Sequence, residues 1–271
     1  MDERDILNKY RRDIHSADYS LSGQYCRQVG QIKFVSPQYD VKGGVSSLFI
    51  PPLADIPIPR LIHSSNNLEY FDTPATLLPQ IYDVNNLTKL KVLVVSYGNI
   101  TFSRDIILPK LRLISSGHSV MFDTQSFPML EAVRCRYSDK IIPVLKKIET
   151  LSSVAFQTPK DDAIHKLIPF TNLKTLYINS GKIETIEGIE TLHNLEKVSL
   201  MNLRRLTDLR ALTMLGKLQE LQIGYCNDIT DWSFLLSLNN LKYLNMPYAK
   251  RTYRPPTDII ERLEKNGILV I

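Results

Sequence analysis

Cysteine is scarce in this chain: Cys26, Cys135 and Cys226 are the three in 271 residues. An odd number of cysteines so far apart makes no disulfide framework. A secreted protein built of repeats would usually carry cysteine clusters at its ends, so a reducing interior is expected. Long hydrophobic runs are missing as well. The first twenty residues, MDERDILNKYRRDIHSADYS, carry charges throughout and no apolar stretch of the kind a secretory signal needs. No run approaches the length of a membrane-spanning helix. Charge of one sign is also lacking. The net +5 is the difference between 33 basic and 28 acidic residues. It divides into 8 against 7 over residues 1–66, 12 against 10 over 67–170 and 13 against 11 over 171–271. No domain-sized basic field points to nucleic acid or an anionic membrane. The expectation is a cytoplasmic protein with no membrane partner, in which the sequons Asn86-Leu87-Thr88 and Asn99-Ile100-Thr101 go unused.

The signatures of catalysis are absent too. There is no phosphate loop, dinucleotide fingerprint, HExxH helix, paired CxxC, GxSxG elbow or calcium loop. Gly43-Gly44 lacks the GK[ST] that a phosphate loop requires and reads as a turn. The histidines His15, His63, His118, His165 and His193 show no metal-ligand spacing. Cys135 falls on an inward position and reads as a small buried hydrophobe. Asp161-Asp162 reads as a helix start rather than an acid/base pair. These observations predict a protein that is not an enzyme and has no metal or cofactor.

What is present is a comb of leucines. Leu173-Leu176-Ile178, Leu195-Val198-Leu200, Leu218-Leu221-Ile223 and Leu241-Leu244-Met246 repeat Leu-x-x-(Leu/Val)-x-(Leu/Ile/Met) every 22 to 23 residues. Walked backwards, the register continues through Leu151-Val154-Phe156, Leu130-Val133-Cys135 and Leu111-Ile114-Ser116. It then reaches Leu90-Leu93-Val95, Leu68-Phe71-Thr73 and Val45-Leu48-Ile50, with Val29-Ile32-Phe34 as a degenerate first strand. Self-similarity at such a period is the mark of a solenoid. Each unit supplies a strand whose first, fourth and sixth residues point inward. No unit can bury its leucines alone, so neighbours must stack. Between strands, Ile183-Ile186-Ile189-Leu192, Leu206-Leu209-Leu212 and Ile229-Trp232-Leu235-Leu238 step by three, which suits 3₁₀ or short helical returns.

These return segments, with the connectors Leu192-His-Asn-Leu195 and Leu238-Asn-Asn-Leu241, resemble the 22-residue leucine-rich repeats of internalins and of small phosphatase-regulating repeat proteins. The resemblance implies an α/β leucine-rich repeat solenoid, a horseshoe. Its parallel sheet is concave and its convex side is irregular, 3₁₀ or short-helical. One departure is plain. The asparagine that usually ladders the ninth position is replaced by Gly98, Ser119, Pro159, Gly181, Leu203 and Ala249, while Cys226 fits a cysteine-bearing variant. Residues 1–24, with Ile6, Leu7, Tyr10 and Ile14 at helical spacing, are expected to form an N-terminal cap. About ten repeats follow over 25–271. They close on a C-terminal cap at 247–271 whose helix is N-capped by Thr257 or Asp258, runs to about Lys265 and stops at Asn266-Gly267.

A repeat array of this kind is a binding surface, and its informative residues lie between the leucines. The outward strand positions and the residue just beyond them include Tyr70, Asp72, Tyr97, Arg134, Arg136, Tyr137, Tyr177, Lys197, Tyr225, Tyr243 and Tyr248, and the loop basic residue Arg251 lies nearby. Tyrosine and arginine dominate interface hot spots because they join large apolar area to a polar tip. The competing explanation is that tyrosine simply packs well on strands. About ten strands at ~4.8 Å spacing would span roughly 50 Å, ample for a partner footprint of about 800 Å². The sequence thus predicts a non-enzymatic intracellular inhibitor or adaptor. It would grip one protein partner on its concave face, as a monomer or within a heterodimer. By family resemblance, a toxin-neutralising immunity protein of bacteria is the more specific expectation. A regulatory subunit of an enzyme such as a phosphatase is the alternative. Nucleic-acid binding through Lys250-Arg251-Thr-Tyr253-Arg254 or Arg204-Arg205 has less support.

Overall fold

The computed structural model describes residues 47–49, 69–75, 78, 87–95, 97–160, 162–247 and 254–271. The expected cap over 1–24 and the first strand at Val29-Ile32-Phe34 lie outside the described residues. The chain forms two compact units, Met1–Arg136 and Tyr137–Ile271.

In the first unit the strands are β1 (Ser47–Phe49), β2 (Tyr70–Thr73), β3 (Val92–Val95), β4 (Ile100–Thr101), β5 (Leu113–Ser116), β6 (Val120–Met121) and β7 (Ala132–Arg136). Strands β1, β2, β3, β5 and β7 pair in that order, all parallel. The register aligns the fourth position of each repeat, Phe71 with Leu93, Ile114 and Val133, and all four are buried. Strands β4 and β6 form a separate parallel pair in the returning half of their repeats. Beside them Phe127 is wedged between Phe102 and Phe122, with ring centroids 5.1 and 5.0 Å away.

The second unit carries β8 (Ser153–Gln157), β9 (Thr175–Asn179), β10 (Lys197–Met201), β11 (Glu220–Gly224), β12 (Tyr243–Asn245) and β13 (Leu269–Val270), again parallel and in sequence order. Val154, Leu176, Val198, Leu221 and Leu244 align in one buried row, and Phe156, Ile178, Leu200 and Ile223 in a second. Burying one such side chain is worth roughly 1.5–3 kcal/mol, a gain each repeat realises only when its neighbour covers it. The returns differ along the unit. They begin as one-turn helices, Ile142–Leu145 and Ala163–Leu167, and become 3₁₀ turns at Ile189–Thr191, Arg210–Met214 and Ser233–Ser237. The step-of-three residues are all buried, as a three-residue turn eclipsing i and i+3 demands.

The closing helix runs from Thr257 to Lys265, as the sequence predicts, and ends at Gly267 in the left-handed region, φ +81°. The amides of Gly267 and Ile268 return to the carbonyls of Glu264 and Leu263. Its N-cap is a correction: Pro256 occupies that place and no side chain caps the turn. Proline's fixed φ serves there, while Asp258 in the first turn suits the helix dipole. Asp162 is likewise the N-cap of the helix at Ala163–Leu167, yet its carboxylate pairs with Lys166, at 2.6 Å, instead of capping an amide.

Candidate binding surface

The second unit's strands enter and leave the sheet through two repeating devices. On entry, two successive amides share one carbonyl of the preceding strand. Lys174 and Thr175 donate to Ser152 at 2.8 and 3.1 Å, and Glu196 and Lys197 to Lys174 at 2.8 and 3.0 Å. Gln219 and Glu220 do the same to Glu196, and Lys242 and Tyr243 to Gln219. Just before the strand, side-chain amides add a second ladder. Asn172 donates to the Glu149 carbonyl at 3.3 Å, Asn194 to Thr171 at 2.9 Å and Asn240 to Gly216 at 2.6 Å. At the repeat that lacks an asparagine, the Lys217 ammonium donates to Asn194 Oδ1 at 2.7 Å. The asparagine ladder missing from the ninth position is therefore replaced by one at the connector.

On exit, the eighth residue of four successive repeats adopts a left-handed backbone: Thr158 (φ +50°), Ser180 (+59°), Asn202 (+57°) and Tyr225 (+56°). Each of the first three donates its amide one repeat onward, to the carbonyls of Asn179, Met201 and Gly224 at 2.8 to 2.9 Å. Only asparagine among the four visits that region readily; a β-branched threonine or a bulky tyrosine there is a true outlier. The ninth position behind them is packed tightly. A Cβ on Gly181 would meet Pro159 Cγ at 2.8 Å, and the Cys226 thiol donates to the carbonyls of Gly224 and Leu200 at 3.5 and 3.6 Å. Burial pushes that thiol's pKa up to about 11, so Cys226 is an inert structural donor.

The side chains singled out by the sequence fall into distinct settings. In the first unit, Tyr70 and Asp72 lie on β2, in register with Val92 and Val94. Asp72 is half-buried, Arg134 is half-buried on β7 opposite Ser115, Arg136 is exposed, and Tyr97 is 57% exposed just past β3. Between them Val92, Leu113 and Ala132 align as a continuous apolar row with no accessible surface. Strand parity alone would put Val92 and Leu113, the third residues of their repeats, on the outward face; in the fold they belong to packing.

In the second unit the accessible face is shared by β9 to β12. Its outward rows are Thr175, Lys197, Glu220 and Tyr243, and beside them Tyr177, Ser199, Gln222 and Asn245. Lys197 pairs with Glu220 at 3.1 Å, and the Ser199 hydroxyl donates to Gln222 at 3.0 Å. Thr175 and Ser199 are buried between larger neighbours, so Tyr177, Tyr243 and the amide side chains stand proud, half-exposed. Tyr225, 42% exposed, stands at the rim of this face. Tyr248 and Arg251 lie outside the described residues.

Tyr137 is a correction. It is 6% exposed, turned into the core with its ring edge-on to Phe156 at 5.4 Å, and its hydroxyl donates to Asp139 at 3.1 Å. Burial, then that hydrogen bond, pushes its pKa up to about 12. Asp139 also accepts from Lys160 and from Lys166, which hold its carboxyl below the usual range. This network ties two repeats together and leaves Tyr137 no surface to offer. The exit-rim residues Thr158, Ser180 and Lys182 have no individual prominence in the sequence, although Thr158 and Ser180 stand one 22-residue repeat apart, which is readable once the repeat register is drawn.

Among the described residues no group of three or more His, Cys, Asp or Glu is placed to hold a metal. Nor, among the described residues, is any helix long and apolar enough to cross a membrane. No protein-family model and no curated protein matches the chain. Solved structures do. Internalin C2 of Listeria monocytogenes is 18% identical, with a TM-score of 0.43, and the match covers 61% of this chain and 75% of that one. TLR13, solved in a complex with ssRNA13, is 16% identical at a TM-score of 0.52, covering 76% of this chain and 36% of its own. A leucine-rich repeat protein of Leptospira interrogans is 15% identical at 0.47, covering 82% and 63% respectively. Identities this low speak to fold alone. With its consensus leucines in parallel register and 3₁₀ returns behind them, the chain is a leucine-rich repeat protein in its fold.

Proposed function

We propose that this chain is a non-enzymatic protein-binding module, acting inside the cell as an inhibitor or adaptor, and that the outward sheet face of its second unit is the docking surface. In a solenoid of this fold that is the concave face. The observation that carries the reading is Tyr225. A large aromatic side chain is held 42% exposed on a backbone at φ +56°, where glycine or asparagine would fit without strain. Backbone strain of this kind clusters at functional sites, so its presence at an exposed aromatic supports use of Tyr225 in binding. Tyr177 and Tyr243, half-exposed on β9 and β12, supply two more amphipathic anchors. Around them lie amides, hydroxyls and one internally paired ion pair, so recognition there rests on shape and hydrogen bonding.

Within that reading, a toxin-neutralising immunity protein is the specific role we favour, because blocking a toxin needs only one high-affinity face. A regulatory subunit of a cellular enzyme is the alternative. Affinity capture with the wild-type chain as bait, followed by identification of the retained protein, separates the two. A secreted toxin supports the first and a phosphatase the second. Tyr177→Ala/Tyr243→Ala should weaken the recovered complex at least tenfold, and an unchanged complex would remove the docking face from consideration.

A further inference from the structure

We propose that the strand-exit rim of the second unit binds an acidic, extended peptide segment, with Lys182 and Arg204 each taking a carboxylate. This rests on the binding-module reading and names the chemistry of the partner. The left-handed ladder sets the geometry. Ser180 and Asn202 occupy equivalent places in adjacent repeats, locked by hydrogen bonds of 2.9 and 2.8 Å that their amides donate to the next repeat. Two residues beyond each comes a cation, Lys182 and Arg204, both exposed. The Lys182 amide reaches the Pro159 carbonyl at 3.4 Å, so its loop follows the stacking of the strands. On the other side, the Ser180 amide bond to the Met201 carbonyl and the parallel bridge between Thr185 and Asp208 bracket the two cations, so their backbones rise about one strand spacing apart, ~4.8 Å.

Their neighbours are already neutralised, and they are not. On the rung before, Lys160 bonds Asp139; beside Arg204, Arg205 pairs with Glu184 at 3.0 Å. Among the described residues neither Lys182 nor Arg204 has a carboxylate within 4.0 Å. Two like charges on long side chains that rise from neighbouring rungs attract a ligand with closely repeating negative charges. An extended chain with acidic residues at alternate positions offers carboxylates ~6.8 Å apart, within the reach of the long Lys and Arg side chains. The groups next to the cations suit a peptide backbone. Asn179 Oδ1 accepts from the Ser180 hydroxyl at 2.9 Å and from Asn202 Nδ2 at 2.7 Å, aligning amides and hydroxyls along the rim. Tyr225 stands exposed on the next rung as an apolar stop. Two cations are few for a phosphodiester chain, whose affinity grows with the number of phosphates neutralised.

The test uses the full chain and fluorescein-labelled decaglutamate, titrated by anisotropy at low ionic strength. Lys182→Ala/Arg204→Ala should weaken binding about tenfold. Lys146→Ala/Lys147→Ala, which removes the same charge from two exposed lysines of the same unit, should weaken it less than twofold. No binding by the wild type, no change on removing the rim pair, or equal loss from both pairs would overturn the proposal. So would tighter binding of oligothymidylate that depends on the same two residues, which would reassign the rim to nucleic acid. The docking reading stands or falls separately. A captured partner lost with Tyr177→Ala/Tyr243→Ala but indifferent to the rim pair defeats only the rim.

Discussion

Thr158→Gly should make this protein more stable, against the usual direction for a glycine substitution. Thr158 sits at φ +50°, is exposed, and is followed by Pro159, which narrows its options further. A left-handed conformation costs a residue with a Cβ roughly 1–2 kcal/mol, and a β-branched one lies at the upper end. Glycine removes that strain but adds about 0.4–1 kcal/mol of unfolded-state entropy. The balance is a stabilisation of about 1–1.5 kcal/mol, because the exposed threonine side chain contributes little packing of its own. The Thr158 amide keeps its bond to the Asn179 carbonyl, 2.8 Å away, in either variant. Asn202→Gly supplies the control. Asparagine already tolerates this region, and its Nδ2 bond to Asn179 would be lost, so that variant should be neutral or destabilised. Urea unfolding followed by circular dichroism measures both. If Thr158→Gly lowers stability by 1 kcal/mol or more, the left-handed ladder is not a strained feature and the case for Tyr225 as a retained functional residue loses its basis.

Other consequences can be checked alongside. Gly181→Ala should destabilise by about 1–3 kcal/mol in the same assay, since its Cβ would lie 2.8 Å from Pro159 Cγ and 3.0 Å from the Pro159 carbonyl oxygen. Tyr137 gives a pH signature. Its folded pKa of about 12 lies above the unfolded value of about 10, so the folded state holds the proton longer. That contribution to stability is complete below pH 10 and is lost as pH climbs from 10 through 12. The urea midpoint of Tyr137→Phe should then fall less steeply over that window than the wild type's; identical slopes would contradict the buried setting.

The leucine comb was legible because burial imposes a strict period. First, fourth and sixth positions must face inward in every repeat, and the rows from Leu176 to Leu244 and Phe156 to Ile223 obey it. The step-of-three returns were legible for the same reason. Tyr137 escaped because outward parity ends with the strand. Once the chain turns, the eighth residue is free to rotate inward, and a neighbouring Phe156 with an acceptor at Asp139 decides it. Val92 and Leu113 escaped differently, for parity names a face without saying whether that face is open. The displaced asparagine ladder is visible as Asn172, Asn194 and Asn240, one residue before each leucine, but asparagine spacing alone does not say which carbonyl each amide reaches. Backbone strain at Thr158 and Tyr225 has no sequence signal, because the residues that would advertise it, glycine and asparagine, are the ones not used there.

We propose that the sheet face of the second unit, and not the returning half of the repeats, engages a protein partner. Competition binding with the captured partner tests it most directly, comparing wild type with Tyr177→Ala/Tyr225→Ala and with Met214→Ser, which alters a side chain 66% exposed in a 3₁₀ return. The tyrosine pair should lose affinity at least tenfold, and Met214→Ser should change it less than twofold. Equal affinity of the tyrosine variant and the wild type, or a loss confined to Met214→Ser, would contradict it.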